Sequence, residues 1–500
     1  MTDRRFSARE ALALLTDDFT ELPTPQREYA PDGPLAWHDY DTARARATAR
    51  TGEEESVVWG RAWIGDRTRT GARTARTEAR TEARTEGGAE ATGTPVLTGT
   101  PVRTGTADRT GTAAVLISFE FGFLGGSLGE RTGDRLGAAY TYAREHRLPV
   151  VSLIATGGSR MQEGMRALTQ LQRVARESAL TSEAGLPQIA VLRDPTTGGG
   201  WAALGAGADI VLALPEAQIG FAGSRVRPPD ADPAAYTADS QVTAGSVDAV
   251  VHPDDLRGTL SLWLSLLTAP SAHPAPPPHA LRGPHPHETP LPTTGWEAVQ
   301  RARSPHRPRA EAYLDAYFTR RAPLSGDRAG GTDPGMLCGF GEHEGRTVAY
   351  AAQCGTATRP AGYRTATRLI RLADRLGIPV LTLIDTPGAA NDAEAERQGA
   401  GPAIAALFTT VASARTPVTT LLIGEGGSGG ALALASPTHT WATPDSYFSV
   451  IAPELAAAIL KRPETLVRAT ADELRVRPQD LVELGVVRGI VDPTPSPTPD

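Results

Sequence analysis

The hydrophobic positions along this chain include four short apolar runs, arranged as two matching pairs. The first pair starts at Pro149 and Pro187 and the second at Pro379 and Pro417, so each pair has a spacing of 38 and the pairs lie 230 positions apart. A short apolar run that ends at a glycine-rich turn predicts a buried strand followed by a tight turn. The second turn of each pair opens an alanine-rich segment that we expect to be helical. The pattern therefore predicts one strand–turn–helix unit that occurs twice.

The glycines of these turns are the first candidates for chemistry. In the first copy they are Gly157-Gly158 and Gly198-Gly199-Gly200, and in the second they are Gly388 and the segment Gly426–Gly430. The start of a helix exposes backbone N–H groups that can hold an oxyanion or a phosphate. Two such turns in duplicated halves suggest two oxyanion holes.

Strand, helix and glycine turn alternate through most of the chain, which is typical of an α/β fold. A helix over Ala8–Leu15 and a strand over Ser56–Ile64 precede this pattern. The predicted organisation is a first domain over 1–268 with a low-complexity insertion over 67–112, a Pro/His-rich linker over 269–294, a second domain over 295–491 and a tail over 492–500. The insertion repeats Ala-Arg-Thr-Glu and offers little to bury, so we read it as a disordered or weakly ordered surface segment.

Composition narrows the possible function classes. A net charge of −7 and a pI near 5.9 argue against a dedicated nucleic-acid binder. Lys461 is the single lysine, and it follows neither the glycine pattern of a P-loop nor the Met-flanked setting of biotin attachment. We therefore expect neither P-loop ATP hydrolysis nor biotin carried on this chain.

The cysteines, histidines and apolar runs bear on compartment and metal binding. Cys338 and Cys354 cannot build a four-cysteine zinc ribbon, and we expect two buried side chains in a reducing cytoplasm. The linker histidines do not suggest a metal site, since prolines stiffen their spacing; they are His273, His279, His285 and His287. We find no apolar signal core and no run of membrane-spanning length. The sequence predicts a cytoplasmic protein with no metal and no membrane contact.

Several motifs resemble one known family. The first half contains Gly157-Gly-Ser-Arg160-Met-Gln-Glu163-Gly164, Asp194-Pro-Thr-Thr-Gly-Gly199 and Ile219–Val226, and it resembles the carboxyltransferase β-subunit of acetyl-CoA carboxylase. The second half resembles the α-subunit of the same enzyme in Trp296–Pro308, Leu324–Arg328, Pro360–Arg364, Ile384–Ala389, Ile423–Leu434 and Ser449–Glu454. The chain thus resembles a fused β–α carboxyltransferase of the crotonase superfamily. That resemblance implies two crotonase-like ββα-spiral domains in tandem.

The resemblance implies transfer of a carboxyl group from carboxybiotin, on a separate carrier protein, to acetyl-CoA or another short acyl-CoA. The thioester oxygen and the biotin ureido oxygen both gain negative charge, which preorganised N–H donors stabilise. By resemblance, Gly198 and Gly199 hold the thioester oxygen, and Gly429 and Gly430 hold the biotin oxygen. The 230-residue offset instead pairs Gly199-Gly200 with Gly429-Gly430. The glycine pair that forms the first oxyanion hole therefore stays open by one residue. Biotin itself can accept the proton, so no catalytic carboxylate or histidine is required.

The resemblance also implies substrate-binding roles for Gly157, Gly158, Arg160, Gly223, Arg225, Gly388, Gly426 and Gly427. Arg160 and Glu163 either line a CoA pocket or pair at a helix start, and Arg225 meets either a CoA phosphate or a surface carboxylate. For Asp385 the sequence favours a capping or turn role over that of an acid. The implied partners are a biotin carboxyl carrier protein, a biotin carboxylase, and further copies of the chain in a dimer or larger homo-oligomer with active sites between chains.

Alternative functions stay open at this stage. The segment Gly424–Gly429 satisfies the G-x-G-x-x-G pattern of nicotinamide-cofactor enzymes. A biotin-dependent decarboxylase of malonyl thioesters would use the same glycine turns. A non-catalytic scaffold of a carboxylase complex is suggested by the missing zinc ribbon and by two loops that are short for the family, Cys354–Pro360 and Ala390–Arg397.

Overall fold

The computed structural model describes residues 5–24, 27–65, 111–283 and 290–493. Of the insertion predicted over 67–112, residues 67–110 lie outside the described residues. The same holds for residues 284–289 of the predicted linker and 494–500 of the predicted tail. In the described part, the chain forms two mixed sheets covered by helices. This confirms the predicted α/β class with two related halves, whereas the boundaries at 268 and 295 stay a prediction.

The described residues of the first half form an eight-stranded sheet. Its strands are β1 (Phe19–Glu21), β2 (Val57–Ile64), β3 (Thr112–Phe119), β4 (Val150–Thr156), β5 (Gln188–Thr197), β6 (Ile210–Ala213), β7 (Ile219–Gly220) and β8 (Ala249–Val250). The order is β1-β2-β3-β4-β5-β6-β8 with β7 beside β5, antiparallel up to β3 and parallel beyond it. Its helices are α1 (Ala8–Leu15), α2 (Tyr40–Thr51), α3 (Glu130–His146), α4 (Gly164–Glu183), α5 (Gly198–Gly200), α6 (Ala238–Thr243) and α7 (Pro253–Leu267).

The second half repeats this plan with a seven-stranded sheet in the described residues. Its strands are β9 (Arg320–Leu324), β10 (Met336–His343), β11 (Arg346–Gln353), β12 (Val380–Thr386), β13 (Val418–Gly427), β14 (Thr440–Ala442) and β15 (Tyr447–Ser449), in the order β14-β13-β12-β11-β10-β9 with β15 beside β13. Its helices are α8 (Gly295–Arg303), α9 (Ala310–Tyr317), α10 (Pro360–Leu376), α11 (Ala393–Arg397), α12 (Ala400–Ser413), α13 (Ser428–Leu432), α14 (Pro453–Ile459), α15 (Val467–Glu473) and α16 (Pro478–Glu483). Among the described helices, none combines the length and the apolar character that crossing a bilayer requires.

The duplicated strands form because their sequences suit complete burial. Every residue of β4 and of β12 is buried, as expected for parallel strands that have a neighbour on each side and helices on both faces. The helix that precedes each of them ends at a residue with positive φ, Arg147 after α3 and Gly377 after α10. The left-handed residue terminates the helix and turns the chain into the strand.

The 230-residue repeat holds at the level of single residues. The ladder of β4 with β5 starts at Val150 and Gln188, and the ladder of β12 with β13 starts at Val380 and Val418. Both ladders shift register just before the last residue of their first strand. Isolated bridges join Leu128 to Ser159 and Thr358 to Ala389. The duplication therefore includes the turns at the strand ends as well as the strands.

The two halves pack directly on each other. One hydrophobic core contains residues of both halves, and within it the ring of Trp263 in α7 meets Phe340 of β10 edge-on, with ring centroids 6.2 Å apart. The backbones also touch, because a Cβ added at Gly326 would lie 2.3 Å from the Cα of Gly245. The relative position of the two glycine turns within one chain is thus fixed by apolar packing.

Candidate active site

The carboxyl ends of β4 and β5 meet at one glycine surface. Gly158 has φ +109 and Gly198 has φ +65, in the left-handed region that favours glycine. A Cβ on Gly198 would lie only 3.1 Å from the Cα of Gly158, so the two turns touch backbone to backbone. The N–H of Gly158 donates to the hydroxyl of Thr156 at 3.0 Å, while the neighbouring Gly157 is exposed. The structure therefore brings together the glycines that the sequence placed at the first turn.

One hydrogen bond bears on the register of this turn. The N–H of Gly198 donates to the carbonyl oxygen of Phe221 at 3.0 Å, so it is not available to a ligand oxygen. Gly199 and Gly200 supply the next N–H groups, and the first N–H groups of a helical segment have no acceptor within it. The geometry favours Gly199 with Gly200, the pair that the 230-residue offset gives.

These two glycines differ in what surrounds them. A Cβ at Gly200 would lie 2.3 Å from Cγ2 of Thr156, inside the packed base of the turn. At Gly199, which is half-buried, an added Cβ would meet the end of the Leu171 side chain, with Cδ1 at 2.4 Å. Gly200 is therefore a packing requirement, whereas the space above Gly199 is closed by a side chain that can turn aside.

The second turn leaves still less room at its base. A Cβ at Gly427 would lie 2.0 Å from the carbonyl oxygen of Pro387, and one at Gly430 would lie 2.4 Å from the backbone nitrogen of Ala389. Gly388 has φ +139 and faces Gly427. Gly426 similarly packs beneath the Phe448 ring, which would lie 2.8 Å from an added Cβ. The structure thus brings the predicted glycines of the second turn together.

Gly429 is the open position of the second turn. A Cβ added there would meet no atom within 4 Å, so a ligand group has room to approach its backbone. The preceding residue, Ser428, has φ +56, which matches Gly198 at the equivalent position of the first turn. A side chain in this left-handed conformation costs about 1–2 kcal/mol. The second turn therefore keeps a strained backbone where the first turn uses glycine.

Arg160 does not face a substrate pocket within this chain. Its side chain is 1% exposed and forms a buried salt bridge with Glu55 and another with Glu163 at 3.3 Å. The hydroxyl of Tyr40 donates to Glu163 at 2.5 Å. This placement differs from the substrate-binding role expected for Arg160, because a carboxylate 105 positions away in sequence occupies its guanidinium. Of the two roles that the sequence left open, the geometry supports the structural one.

The cluster around Arg160 holds the first turn in place. Burial alone would raise the pKa of Glu55, but the charge and hydrogen bonds of Arg160 outweigh it and lower that pKa to about 2. The carboxylate of Glu163 accepts the N–H of Glu130, at the start of α3, at 2.6 Å. Arg160 also donates to the carbonyl oxygen of Ser127 at 2.8 Å. The cluster therefore ties the N-terminal segment to the loops on both sides of the first turn.

Gly223 and Arg225 lie in the loop that follows β7. A Cβ at Gly223 would lie 3.4 Å from the hydroxyl of Thr197, the last residue of β5, so this loop borders the first turn. Arg225 is exposed and makes no ion pair with the described residues. The surface ion pair considered from the sequence is thus not found in that part of the chain, and the guanidinium remains accessible to an anionic group.

Asp385 organises the second turn. Its buried carboxylate accepts hydrogen bonds from Arg307 at 2.5 Å and from the N–H of Glu425 at 3.1 Å, and Arg309 reaches its other oxygen at 3.3 Å. These contacts join the ends of β12 and β13 immediately before the glycines. The geometry gives Asp385 the turn role that the sequence favours over that of an acid.

The sequence reasoning missed the arginines before α9. Arg303 donates to Glu425 at 2.9 Å and to Glu454 at 2.6 Å, while Arg307 lies beneath the turn with Asp385. Their close spacing in the segment that resembles the α-subunit is the sequence signal that could have pointed to them. It does not reveal their role, because the acidic partners lie 78 to 151 positions away.

Both turns are bordered by exposed apolar side chains. Beside the first turn, Met161 is 76% exposed and Phe221 is 74% exposed. Beside the second, Val450 directly follows the strand that pairs with Gly427 and is 72% exposed. Clustered exposed apolar residues mark surfaces that contact another molecule. The surroundings of the two turns therefore favour contact with another chain.

The nicotinamide-cofactor alternative fails on the position of its glycines. β13 continues through Gly427, so the first glycines of the segment Gly424–Gly429 are strand residues. A dinucleotide fingerprint needs these glycines in the turn between strand and helix, where they cradle the pyrophosphate. The second residue of the motif, Glu425, is moreover paired with Arg303. The match to G-x-G-x-x-G is not a dinucleotide site.

Comparisons with known proteins identify the family. The carboxyl transferase domain model matches residues 75–249, and the acetyl co-enzyme A carboxylase carboxyltransferase-like model matches residues 292–496. The acetyl-coenzyme A carboxylase carboxyl transferase subunits beta/alpha of Saccharopolyspora erythraea are 38% identical over 395 residues, which cover 76% of this chain and 69% of that protein. A probable biotin-dependent acyl-coenzyme A carboxylase beta3 subunit of Mycobacterium bovis is 34% identical over 395 residues, covering 76% of this chain and 77% of that protein.

Solved structures show the same fold. Transcarboxylase 12S, described as a hexamer with methylmalonyl-coenzyme A and methylmalonic acid bound, has a TM-score of 0.72 at 19% identity and covers 98% of this chain and 87% of its own. A single-chain, multi-domain long-chain acyl-CoA carboxylase has a TM-score of 0.68 at 20% identity, covering 98% of this chain and 46% of its own. Both confirm the predicted crotonase-like domains in tandem. The chain belongs to the biotin-dependent acyl-CoA carboxyltransferase family, with halves that correspond to the β- and α-subunits of acetyl-CoA carboxylase.

Proposed function

We propose that this protein transfers a carboxyl group from carboxybiotin, on a separate carrier protein, to acetyl-CoA or another short acyl-CoA. Malonyl-CoA or its homologue is then the product, and fatty acid synthesis is the pathway that it serves. The observation that carries the proposal is the pair of equivalent glycine turns at the ends of β5 and β13, where the second position is open at Gly429 and covered only by the end of the Leu171 side chain at Gly199. A reaction in which two carbonyl oxygens gain charge needs two such sites.

Each turn takes one of the two oxygens. The N–H groups of Gly199 and Gly200 hold the thioester oxygen, and those of Gly429 and Gly430 hold the ureido oxygen of biotin. The hydrogen bond from Gly198 to Phe221 supports this register over Gly198 with Gly199. A preorganised donor to a developing oxyanion is worth about 3–4 kcal/mol of transition-state stabilisation. A Cβ at Gly429 would meet no atom within 4 Å, which supports the approach of the biotin ring to this backbone.

The remaining predicted residues supply shape and charge around these donors. Gly157 and Gly158 form the floor beside the thioester, and Gly388, Gly426 and Gly427 form the floor beside biotin. Arg225, exposed at the rim of the first turn, binds a phosphate of CoA, while Gly223 lets its loop lie against β5. Arg160 acts as a positioning residue, because its guanidinium is buried among Glu55, Glu163 and Ser127.

Carboxybiotin, when bound, supplies the carboxyl group. After that group has left, the biotin anion supplies a base for the α-proton of the acyl group. The protein then needs to contribute N–H donors, orientation and exclusion of water. This proposal is supported by the contacts at the second turn, where Asp385 and Glu425 are both paired with arginines. These salt bridges give both carboxylates a structural role at the turn.

The proposed partners are a biotin carboxyl carrier protein, a biotin carboxylase and further copies of this chain. A separate carrier is supported by Lys461, the single lysine, which lies between Leu460 and Arg462 with no methionine beside it. The exposed apolar side chains beside both turns support a homo-oligomer in which the first half of one copy faces the second half of another. We place this assembly in the cytoplasm.

An assay of the assembled protein distinguishes the proposal from its alternatives. Purified protein is combined with a biotinylated carrier, a biotin carboxylase, ATP and bicarbonate, and carboxylated products are measured for acetyl-, propionyl- and longer acyl-CoA. Formation of malonyl-CoA supports the proposal, and the panel gives the preferred acyl group. Binding of the carrier without product from any acyl-CoA would indicate a scaffold. Biotin-dependent loss of malonyl-CoA with no forward reaction would indicate a decarboxylase.

A further inference from the structure

A cavity lies between the two halves, away from the glycine turns, and its lining includes no residue of either turn. It is bounded by the loop before β6 on one side and by α10 and the loop after β9 on the other. Its volume is about 600 Å³, within the range of small-molecule sites. Five arginines line it, Arg328, Arg364, Arg368, Arg371 and Arg375, and we refer to it as the arginine cleft.

The arginines form one face of α10. Arg364, Arg368, Arg371 and Arg375 follow each other at intervals of four, three and four residues, which places them on a single side of the helix. The other side of α10 is buried against its own sheet. The charged face is thus presented to the first half of the chain, where the loop before β6 supplies Asp209.

The carboxylates in and beneath the cleft do not balance this charge. Asp248 pairs with Arg328 at 2.5 Å and with Arg368 at 3.1 Å, Asp327 pairs with Arg364 at 2.6 Å, and Asp209 pairs with Arg375. Three carboxylates therefore face five guanidinium groups, which leaves two positive charges. Arg371 is exposed and forms no ion pair with the described residues.

The neighbouring positive charge affects Arg328 in the inner part of the cleft. Its Nε atom is buried and has no hydrogen-bond partner in the described part of the chain. Burial and the like charge of Arg368 lower the pKa of Arg328, although Asp248 opposes them. A half-buried guanidinium beside a second guanidinium attracts an anion more strongly than an isolated arginine on the surface does.

We propose that the arginine cleft binds a small phosphate-bearing anion, such as a phosphate monoester or a diphosphate. Two charges match the surplus, and the planar guanidinium fork suits phosphate oxygens. Arg371 binds the anion at the mouth, and the positive charges of Arg328 and Arg368 attract it from the inner part of the cleft. The ligand contacts α10 of the second half and the loop before β6 of the first half at the same time. It therefore stabilises the packing of the two halves on each other.

The test uses the full-length assembled protein and two probes, inorganic phosphate and pyrophosphate. Binding is measured by calorimetry and by the shift of the thermal midpoint, with potassium chloride at matched ionic strength as the reference. Arg371→Gln removes the unpaired guanidinium without breaking an ion pair. Arg176→Gln is the matched control, since Arg176 is 72% exposed on α4 and does not line the cleft.

We expect pyrophosphate at ten times its dissociation constant to raise the thermal midpoint by about 2 °C in the unaltered protein and in Arg176→Gln. In Arg371→Gln the dissociation constant rises about tenfold. An equal response of both variants, or a response that potassium chloride reproduces, would overturn the proposal. Coenzyme A forms a further arm of the test: if it competes with pyrophosphate in a manner that Arg371→Gln weakens, the phosphate group is that of CoA, and otherwise it belongs to a separate ligand.

Discussion

The guanidinium of Arg307 donates to the carboxylate of Asp385 at 2.5 Å, and both side chains are almost completely buried, directly beneath the second glycine turn. The same guanidinium also approaches the carbonyl oxygen of Ile423 in β13, and Asp385 accepts the N–H of Glu425. The pair thus connects the ends of the two strands from which the turn emerges. The first turn has no equivalent acid, since alanine occupies the position 230 residues earlier.

Loss of the Asp385 charge should therefore destabilise the fold strongly. We expect Asp385→Asn to lower the free energy of unfolding by about 3–5 kcal/mol, because Arg307 is then left buried without a counter-charge. Denaturation in urea at neutral pH measures this change. The double variant Arg307→Met with Asp385→Leu should lose less than Asp385→Asn alone. As a control, Arg415→Met removes an 82%-exposed arginine paired with Asp374 and should cost less than about 1 kcal/mol.

The Glu55–Arg160 pair predicts a pH dependence of stability. The folded-state pKa of Glu55 is about 2, below the ordinary value of 4.5, so its contribution is fully present above pH 4.5 and is lost as the pH falls towards 2. The contribution at neutral pH is about 3 kcal/mol. The difference in unfolding free energy between the unaltered protein and Glu55→Gln should be constant above pH 5 and shrink steadily between pH 4.5 and 2. A difference that does not change with pH would contradict the prediction.

The left-handed backbone of Ser428 predicts an unusual tolerance of glycine. Ser428→Gly should leave stability unchanged or raise it by up to about 1 kcal/mol, because relief of strain exceeds the entropy that glycine adds to the unfolded chain. Ser428→Val should lower stability by more than about 1 kcal/mol, since a β-branched residue suits this region least. The same serine-to-glycine change at Ser413, in the last turn of α12, should cost about 0.5 kcal/mol. Thermal denaturation of the three variants checks the order.

Much of the fold and part of the site can be predicted from the sequence. The buried strands and the glycine turns are local patterns, and the repeat gives their equivalence because both copies keep the same spacing. The contacts that organise the site are not local. Arg160 looks like a pocket residue until Glu55, 105 positions away, is seen to hold it. The choice of glycine pair at the first turn also depends on the carbonyl oxygen of Phe221, which lies in another loop. No sequence pattern around Gly198 reveals that contact.

The central claim is that the two glycine turns act as separate oxyanion holes, and the turnover number of the assembled enzyme tests it most directly. Gly199→Ala and Gly429→Ala each add one methyl group above a donor pair, and Gly401→Ala adds one in open space at the start of α12. The rate measured is biotin-dependent transfer of the carboxyl group of malonyl-CoA, the reverse reaction, with the thermal midpoint recorded for each variant. We predict that kcat falls about 100-fold in each turn variant and not in Gly401→Ala, while all three stay folded. An unchanged kcat in both turn variants would contradict the account.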